Sequence, residues 1–212
     1  ASILLDSPGL AAVIDADEKN ITLQLIKVRA LLELGTEEED FVSLNQRISG
    51  KTGGISPNTH ASAVKNSEEG AVWLFLRGKA MLSQTPELLG ILRDVLLKVR
   101  FDNRERFRQM VMEAKARQEQ KLVQTGHQVV NLRLRAHYDE ASWAAERMRG
   151  VSQLLFLRDL AGDVDRNWPR VLSDLQEIRS LLLNRSNMLV NVTLHEEGWR
   201  HLEPQFSSNT GL

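Results

Sequence analysis

From Thr85 to Leu183 the apolar residues return at helical spacing almost without interruption, and just before this stretch lies one run with the period of a strand. That pairing is the strongest constraint on the fold. In Ala71–Met81 (AVWLFLRGKAM) the residues Val72, Leu74 and Leu76 fall on one face, because side chains alternate along a strand. Leu88, Leu89, Ile91, Leu92, Val95, Leu96 and Val99 then form a broad helical stripe opened by Thr85-Pro86, with Pro at the first helical position. Asp102 and Glu105 read as a capping box for a long helix, which carries Phe107, Met110, Val111, Ala114, Gln118 and Leu122 and breaks or kinks at Gly126 before Val129 and Leu132. Asp139–Gly150, Val151–Leu160 and Pro169–Leu183 predict three more helices, with a break over Ala161–Asp165.

The ends add less regular pieces. Ile3–Leu5 and Leu10–Ile14 are short apolar runs around a Pro8-Gly9 turn and predict two strands or a hairpin. Ile21–Leu34 is dense enough in apolar residues for a buried helix closed by Gly35. Thr36-Glu37-Glu38-Glu39 reads as a capping box opening the next helix, with Phe41, Leu44 and Ile48 at helical spacing. Glycines over Ser49–Ser56 end that helix, and Asn66–Gly70 predicts a hairpin loop. Met188–Leu194 predicts a strand, and Glu196–Phe206 a last helix. The expected class is α+β: an antiparallel or mixed sheet packed on one face by several helices. Residues 1–20 form an N-terminal segment of uncertain assignment, residues 21–206 the domain, and residues 207–212 a polar tail or linker. The abrupt start and polar end predict a piece of a longer polypeptide, and no secretory leader is visible.

Composition removes whole classes of chemistry. There is no cysteine, so disulfides, thiol nucleophiles, iron–sulfur clusters and Cys-ligated zinc are excluded. The net charge of −1 argues against a nucleic-acid or anionic-membrane surface as the main function. No apolar run reaches the roughly 18 residues a membrane helix needs.

The motifs that tempt a catalytic reading fail on spacing. Gly50-Lys51-Thr52 lacks the first glycine of a phosphate loop, since Asn45 stands five residues before Gly50, and the preceding segment reads as helix where that motif needs a strand. His195-Glu196-Glu197-Gly198-Trp199 begins a zinc-protease helix but has Trp199 where the second ligand belongs. His127 and His137 on helical sequence stand about 80° apart in rotation and about 15 Å apart in rise, too far to share a metal. His60 and His201 have no ligand-spaced partner in the sequence. Gly54-Ile55-Ser56-Pro57 lacks the closing glycine of a serine nucleophile elbow. No catalytic or metal-ligating residue is predicted in this chain. Arginines outnumber lysines, and Arg104, Arg106, Arg108, Arg117, Arg133 and Arg135 crowd the long helical region. They read as a face laced to carboxylates, such as Glu113 with Arg117, or as a docking face of a stand-alone interaction module.

A co-linear series of short motifs carries more weight. It runs Leu31-Leu32-Glu33-Leu34-Gly35-Thr36, Leu44-Asn45-Gln46, Lys51-Thr52-Gly53-Gly54-Ile55-Ser56 and Leu76-Arg77-Gly78-Lys79-Ala80-Met81. Ala114-Lys115-Ala116-Arg117, Ser142-Trp143, Glu146 to Ser152 and Phe156 to Leu160 follow, then Leu175 to Arg179 and Met188 to Thr193. This order resembles the presequence protease family, the pitrilysin/insulysin-type zinc metallopeptidases that include falcilysin. The match falls on the third of four homologous domains and covers about residues 21–206.

The resemblance implies a clamshell enzyme that closes a chamber around short unfolded peptides such as cleaved targeting peptides. Zinc would sit in the first domain on an inverted HxxEH motif plus a distal Glu. The last domain would add further active-site groups, and this chain would be a noncatalytic wall without a cofactor of its own. Its partners would be the neighbouring domains of the same polypeptide and the peptide substrate, with no nucleic acid and no membrane. Its compartment would be intracellular: bacterial cytoplasm, mitochondrial matrix or plastid stroma. The resemblance also makes Gly53, Gly54, Ile55 and Ser56 a candidate peptide-facing strand, by analogy with the edge strand on which the catalytic half lays its substrate. Two departures stand out. Gly50 replaces the usual Arg before Lys-Thr-Gly-Gly, and Pro57-Asn58-Thr59 replaces the usual aromatic-Pro pair after Ile-Ser.

Overall fold

Residues whose side chains alternate between core and solvent build the sheet, and the helices stack on its apolar side. The computed structural model describes residues 2–5, 26, 29–66, 70–182, 188–193, 195, 196 and 198–200. Four strands, β1 (Ser2–Leu5), β2 (Ile55–Ala63), β3 (Gly70–Gly78) and β4 (Met188–Asn191), lie in the order β2-β3-β1-β4. Every pairing is antiparallel: Leu4 stands opposite Phe75 and Leu189, and Asn58 opposite Phe75 from the other side. The expected strand at Ile3–Leu5 is therefore present, inserted between β3 and β4, while Leu10–Ile14 lies outside the described residues.

Val72, Leu74 and Leu76 of β3 are buried, as their alternation predicts. They face α2 (Thr85–Leu97), reached through a 3-10 turn at Leu82–Gln84, and the close approach is visible at Gly78. A Cβ there would sit 2.6 Å from Leu88 Cδ1, so no side chain fits. The remaining helices are α1 (Phe41–Lys51), α3 (Arg104–Gln124), α4 (Gly126–Arg135), α5 (Glu140–Arg149), α6 (Val151–Arg166) and α7 (Trp168–Leu182). Helix α5 packs on β2 and β3, and α3 runs along α6. Phe107, fully buried, meets the Trp168 ring at a centroid distance of 5.6 Å. Burying side chains such as Phe107, Ile91 and Leu44 contributes about 1.5–3 kcal/mol each.

Ile26, Ala30, Leu31 and Leu34 are buried, and residue 26 and residues 29–33 are helical, as the apolar density of this segment predicts. Gly35 follows at φ 82, the left-handed conformation expected of a helix-closing glycine. Thr36 does not open a helix. Its hydroxyl accepts from the Glu38 and Glu39 N–H groups, but its own N–H goes to the Glu39 carbonyl and the Glu37 N–H donates to the Lys98 carbonyl. Tertiary pairing of Thr36 with Val99 overrides the local signal, and α1 starts at Phe41 under Asp40, whose carboxylate accepts from the Ser43 N–H at 2.8 Å. A similar shift occurs at α3. Asn103 is the cap and accepts from the Arg106 N–H, while Asp102 is held by Arg100 at 2.7 Å.

The break expected at Ala161–Asp165 is absent, and α6 continues to Arg166 because Leu160 and Val164 keep the buried stripe going. The break at Gly126 is present: Thr125 separates α3 from α4. Val171, Leu175 and Ile178 of α7 point inward. The strand expected to Leu194 runs from Met188 to Asn191. Of the helix expected over Glu196–Phe206, residues 196 and 198–200 are helical and the rest lies outside the described residues, as does the tail at 207–212.

Candidate functional site

Two adjacent glycines explain how the chain turns from α1 into β2. The Thr52 hydroxyl donates to the Ile48 carbonyl at 2.6 Å and accepts from the Gly54 N–H at 3.0 Å, so it closes the helix and starts the strand. The Gly53 N–H donates to the Lys79 carbonyl at 2.7 Å, and the Lys79 N–H donates to the Gly54 carbonyl at 3.3 Å. Two residues thus oppose one, which is a β-bulge. Gly54 takes φ 106, and the Lys79 stem lies where a Gly53 Cβ would be. Gly50-Lys51-Thr52 therefore ends a helix and cradles no phosphate, since a phosphate loop must precede its helix.

The bulge sets the phase of the strand after it. Gly54 is bonded to Lys79, and antiparallel pairs alternate between bonded and non-bonded. Ser56, Asn58, His60 and Ser62 thus turn their backbone groups to β3, while Ile55, Pro57, Thr59 and Ala61 turn theirs to the free edge. Among the described residues β2 pairs with β3 alone. Pro57, which has no N–H, falls in the outward phase, the place a strand tolerates proline. Of the four candidate peptide-facing residues, only Ile55 presents its backbone to that edge. Gly53, Gly54 and Ser56 spend theirs on Lys79 and β3.

On the sheet face away from the core, the His60 ring meets Phe75 edge-on at 6.4 Å, and the Arg77 guanidinium lies over Phe75 at 4.9 Å. His60, His127, His137 and His195 are exposed, and His201 lies outside the described residues. Among the described residues no group of three or more His, Cys, Asp or Glu side chains could hold a metal ion. No helix among them is long and apolar enough to cross a membrane.

The arginines are largely spent inside the domain. Arg104 donates to the Val164 and Asp165 carbonyls, Arg108 holds the Asp165 carboxylate at 2.8 Å, and Arg106 reaches Glu33 while covering the Phe41 ring. Glu113 stands 3.7 Å from Arg29, not against Arg117 as its spacing suggests. Sequence reasoning missed one polar centre, at the α5–α6 junction. Glu146 is fully buried there, Gln118 of α3 donates to the Arg149 and Gly150 carbonyls, and a Cβ on Gly150 would strike the Glu146 carboxylate. A glutamate among helix-surface residues carries no periodic signal of burial, so only the fold reveals it.

These features define a helix-backed antiparallel-sheet domain with an open sheet edge and, among its described residues, no reaction centre. Over residues 17–160 its sequence matches the family of domains associated with subfamily C of metallopeptidase family 16, and the chain belongs to that family. It is a peptidase-associated domain. It is 37% identical over 82% of its length to presequence protease 1, chloroplastic/mitochondrial, of Arabidopsis thaliana. It is 25% identical over 80% of its length to protein HypA of Clostridium perfringens, and 24% identical over 77% to the mitochondrial presequence protease of Saccharomyces cerevisiae. The chain covers 16%, 17% and 17% of those proteins, about a sixth of each. The resemblance drawn from the ordered motifs is thus borne out.

Proposed function

We propose that this chain is a noncatalytic chamber-wall domain of a zinc metallopeptidase that degrades short unfolded peptides. The observation that carries the reading is the family match at the scale of one domain: presequence proteases align with most of this chain, and it accounts for about a sixth of their length. Zinc and the groups that activate water belong, on this reading, to other domains of the same polypeptide. Residues 21–206 form the body of the domain, residues 1–20 lead into it, and residues 207–212 lead out.

The wall would offer a peptide the free edge of β2, beginning beside Gly53, Gly54, Ile55 and Ser56. Main-chain hydrogen bonds at such an edge hold an extended chain without regard to its side chains, which suits a degrader of many sequences. The names of the relatives support an organelle, and HypA supports a bacterial counterpart. A stand-alone module docking through an Arg-rich face is less well supported, since Arg104, Arg106 and Arg108 already serve carbonyls and carboxylates of this domain.

The test is a peptide-degradation assay on the full natural polypeptide, with and without a zinc chelator, beside zinc analysis of the 212-residue chain. Degradation that the chelator abolishes, with no zinc on the chain, is the expected result. Stoichiometric zinc on the chain itself, or a full polypeptide that leaves unfolded peptides intact, overturns the reading.

A further inference from the structure

Helix α4 is anchored on one side and bare on the other. Val129 is buried at 4% exposure, and Arg133 reaches inward to the Ser152 hydroxyl at 3.3 Å. The opposite face carries Val130 and Leu134, 59% and 61% exposed, four residues apart and so stacked on one side of the helix. Val123, 86% exposed at the end of α3, and Tyr138, 82% exposed in the turn after α4, extend the same run along the chain. Scattered exposed apolar residues are ordinary, but four in one short stretch of two consecutive helices form a patch.

The charge around the patch has one sign. From Gln120 to Tyr138 the sequence contains Lys121, Arg133 and Arg135 and no carboxylate, within a chain whose net charge is −1. We infer that this α4 face docks onto an apolar surface rimmed by carboxylates in another domain of the same polypeptide. The inference rests on the proposed function, in which the chain is one domain of a longer peptidase. Two other occupants fit worse. A basic peptide would be repelled by Arg135 and Lys121. An anionic bilayer takes amphipathic helices that sink a long apolar face studded with Trp or Phe, whereas α4 is 10 residues long and offers Val and Leu. A neighbouring domain needs only a pre-shaped apolar patch with opposite charge at its rim, which is what interdomain surfaces supply.

The chain has no cysteine, so an introduced one reports its own environment. In the full natural polypeptide, Val130→Cys would be labelled by a maleimide beside a control, Ser49→Cys, on the exposed side of α1. Labelled peptides would be quantified by mass spectrometry. The expected result is labelling at position 130 at least about tenfold slower than at position 49, because a docked side chain reacts only on local opening. Adding Leu134→Asp should bring the two rates together. Equal rates in the unmodified background overturn the inference. So does protection that disappears on dilution, which would mean a second copy, or protection that appears only with anionic phospholipid vesicles. Peptide degradation is measured separately: a polypeptide that degrades nothing but shields the thiol at position 130 keeps this inference and removes the proposed function.

Discussion

The Glu146 carboxylate accepts a hydrogen bond from the Ser152 N–H at 3.1 Å, so a fully buried acid caps the N-terminus of α6 from the preceding helix. Its Oε1 takes that bond. Its Oε2 makes no hydrogen bond and lies 3.4 Å from Arg133 Nη1, an ion pair reaching in from α4. One side chain therefore ties α4, α5 and α6 together, and the helix dipole of α6 favours its negative charge.

Replacing Glu146 removes the cap and the ion pair at once. Glu146→Ala should cost about 2–4 kcal/mol, the sum of a lost cap and a broken buried charge pair. Arg133→Ala removes only the half-exposed partner and should cost about 1–2 kcal/mol. Urea denaturation of both variants reads the difference, and equal losses would place the energy in the ion pair alone.

Gly35 cannot carry a side chain. At φ 82 any added Cβ would also meet the Glu39 carbonyl at 2.7 Å and the Phe41 N at 2.9 Å. Gly35→Ala should lower stability by about 1–3 kcal/mol, seen as a reduced denaturant midpoint, whereas Gly50→Ala, with open space around it, should be neutral or slightly stabilising.

Stability should fall in acid. Hydrogen bonds from the Ser142 backbone N–H and hydroxyl hold the Asp139 carboxyl below its ordinary 3.8. Asp40 is held low by Ser43, Asp102 by the Arg100 guanidinium and Asp165 by the Arg108 guanidinium. A carboxyl depressed in the folded chain gives its full stabilisation above the unfolded value and loses it as pH drops through the folded one. Urea midpoints should therefore be flat near neutrality and decline below about pH 4. Asp139→Asn, which keeps an acceptor but no charge, should lessen that decline.

The free edge of β2 can be tested by subtraction. By the ladder phase Thr59 turns its N–H outward, so Thr59→Pro should leave the β3 ladder and the fold intact. If peptides add to this edge, the full polypeptide should show KM raised about two- to tenfold with kcat unchanged, the worth of one hydrogen bond. An unchanged KM would assign β2 a purely structural role.

Much of this fold was legible in the residues alone. The alternation of Val72, Leu74 and Leu76 and the helical stripes of α2, α3 and α7 announce one-sided burial, because period alone tells a chain which face to hide. The ordered motifs carried the family. The exact starts of helices were less legible: Thr36 and Asp102 have the chemistry of caps, yet pairing of Thr36 with Val99 and of Asp102 with Arg100 takes them elsewhere. Local signals lose where another partner offers the same hydrogen bonds in a better-packed place.

What the amino-acid order determined alone is therefore the class of fold, the buried faces, the closing glycine at Gly35 and the absence of any cysteine chemistry. What only the tertiary structure decided is the phase of β2 after the Gly53-Gly54 bulge, the burial of Glu146 and the bare face of α4. Each of those depends on which surfaces meet, and a contact between residues distant in sequence leaves no periodic trace in the chain that makes it.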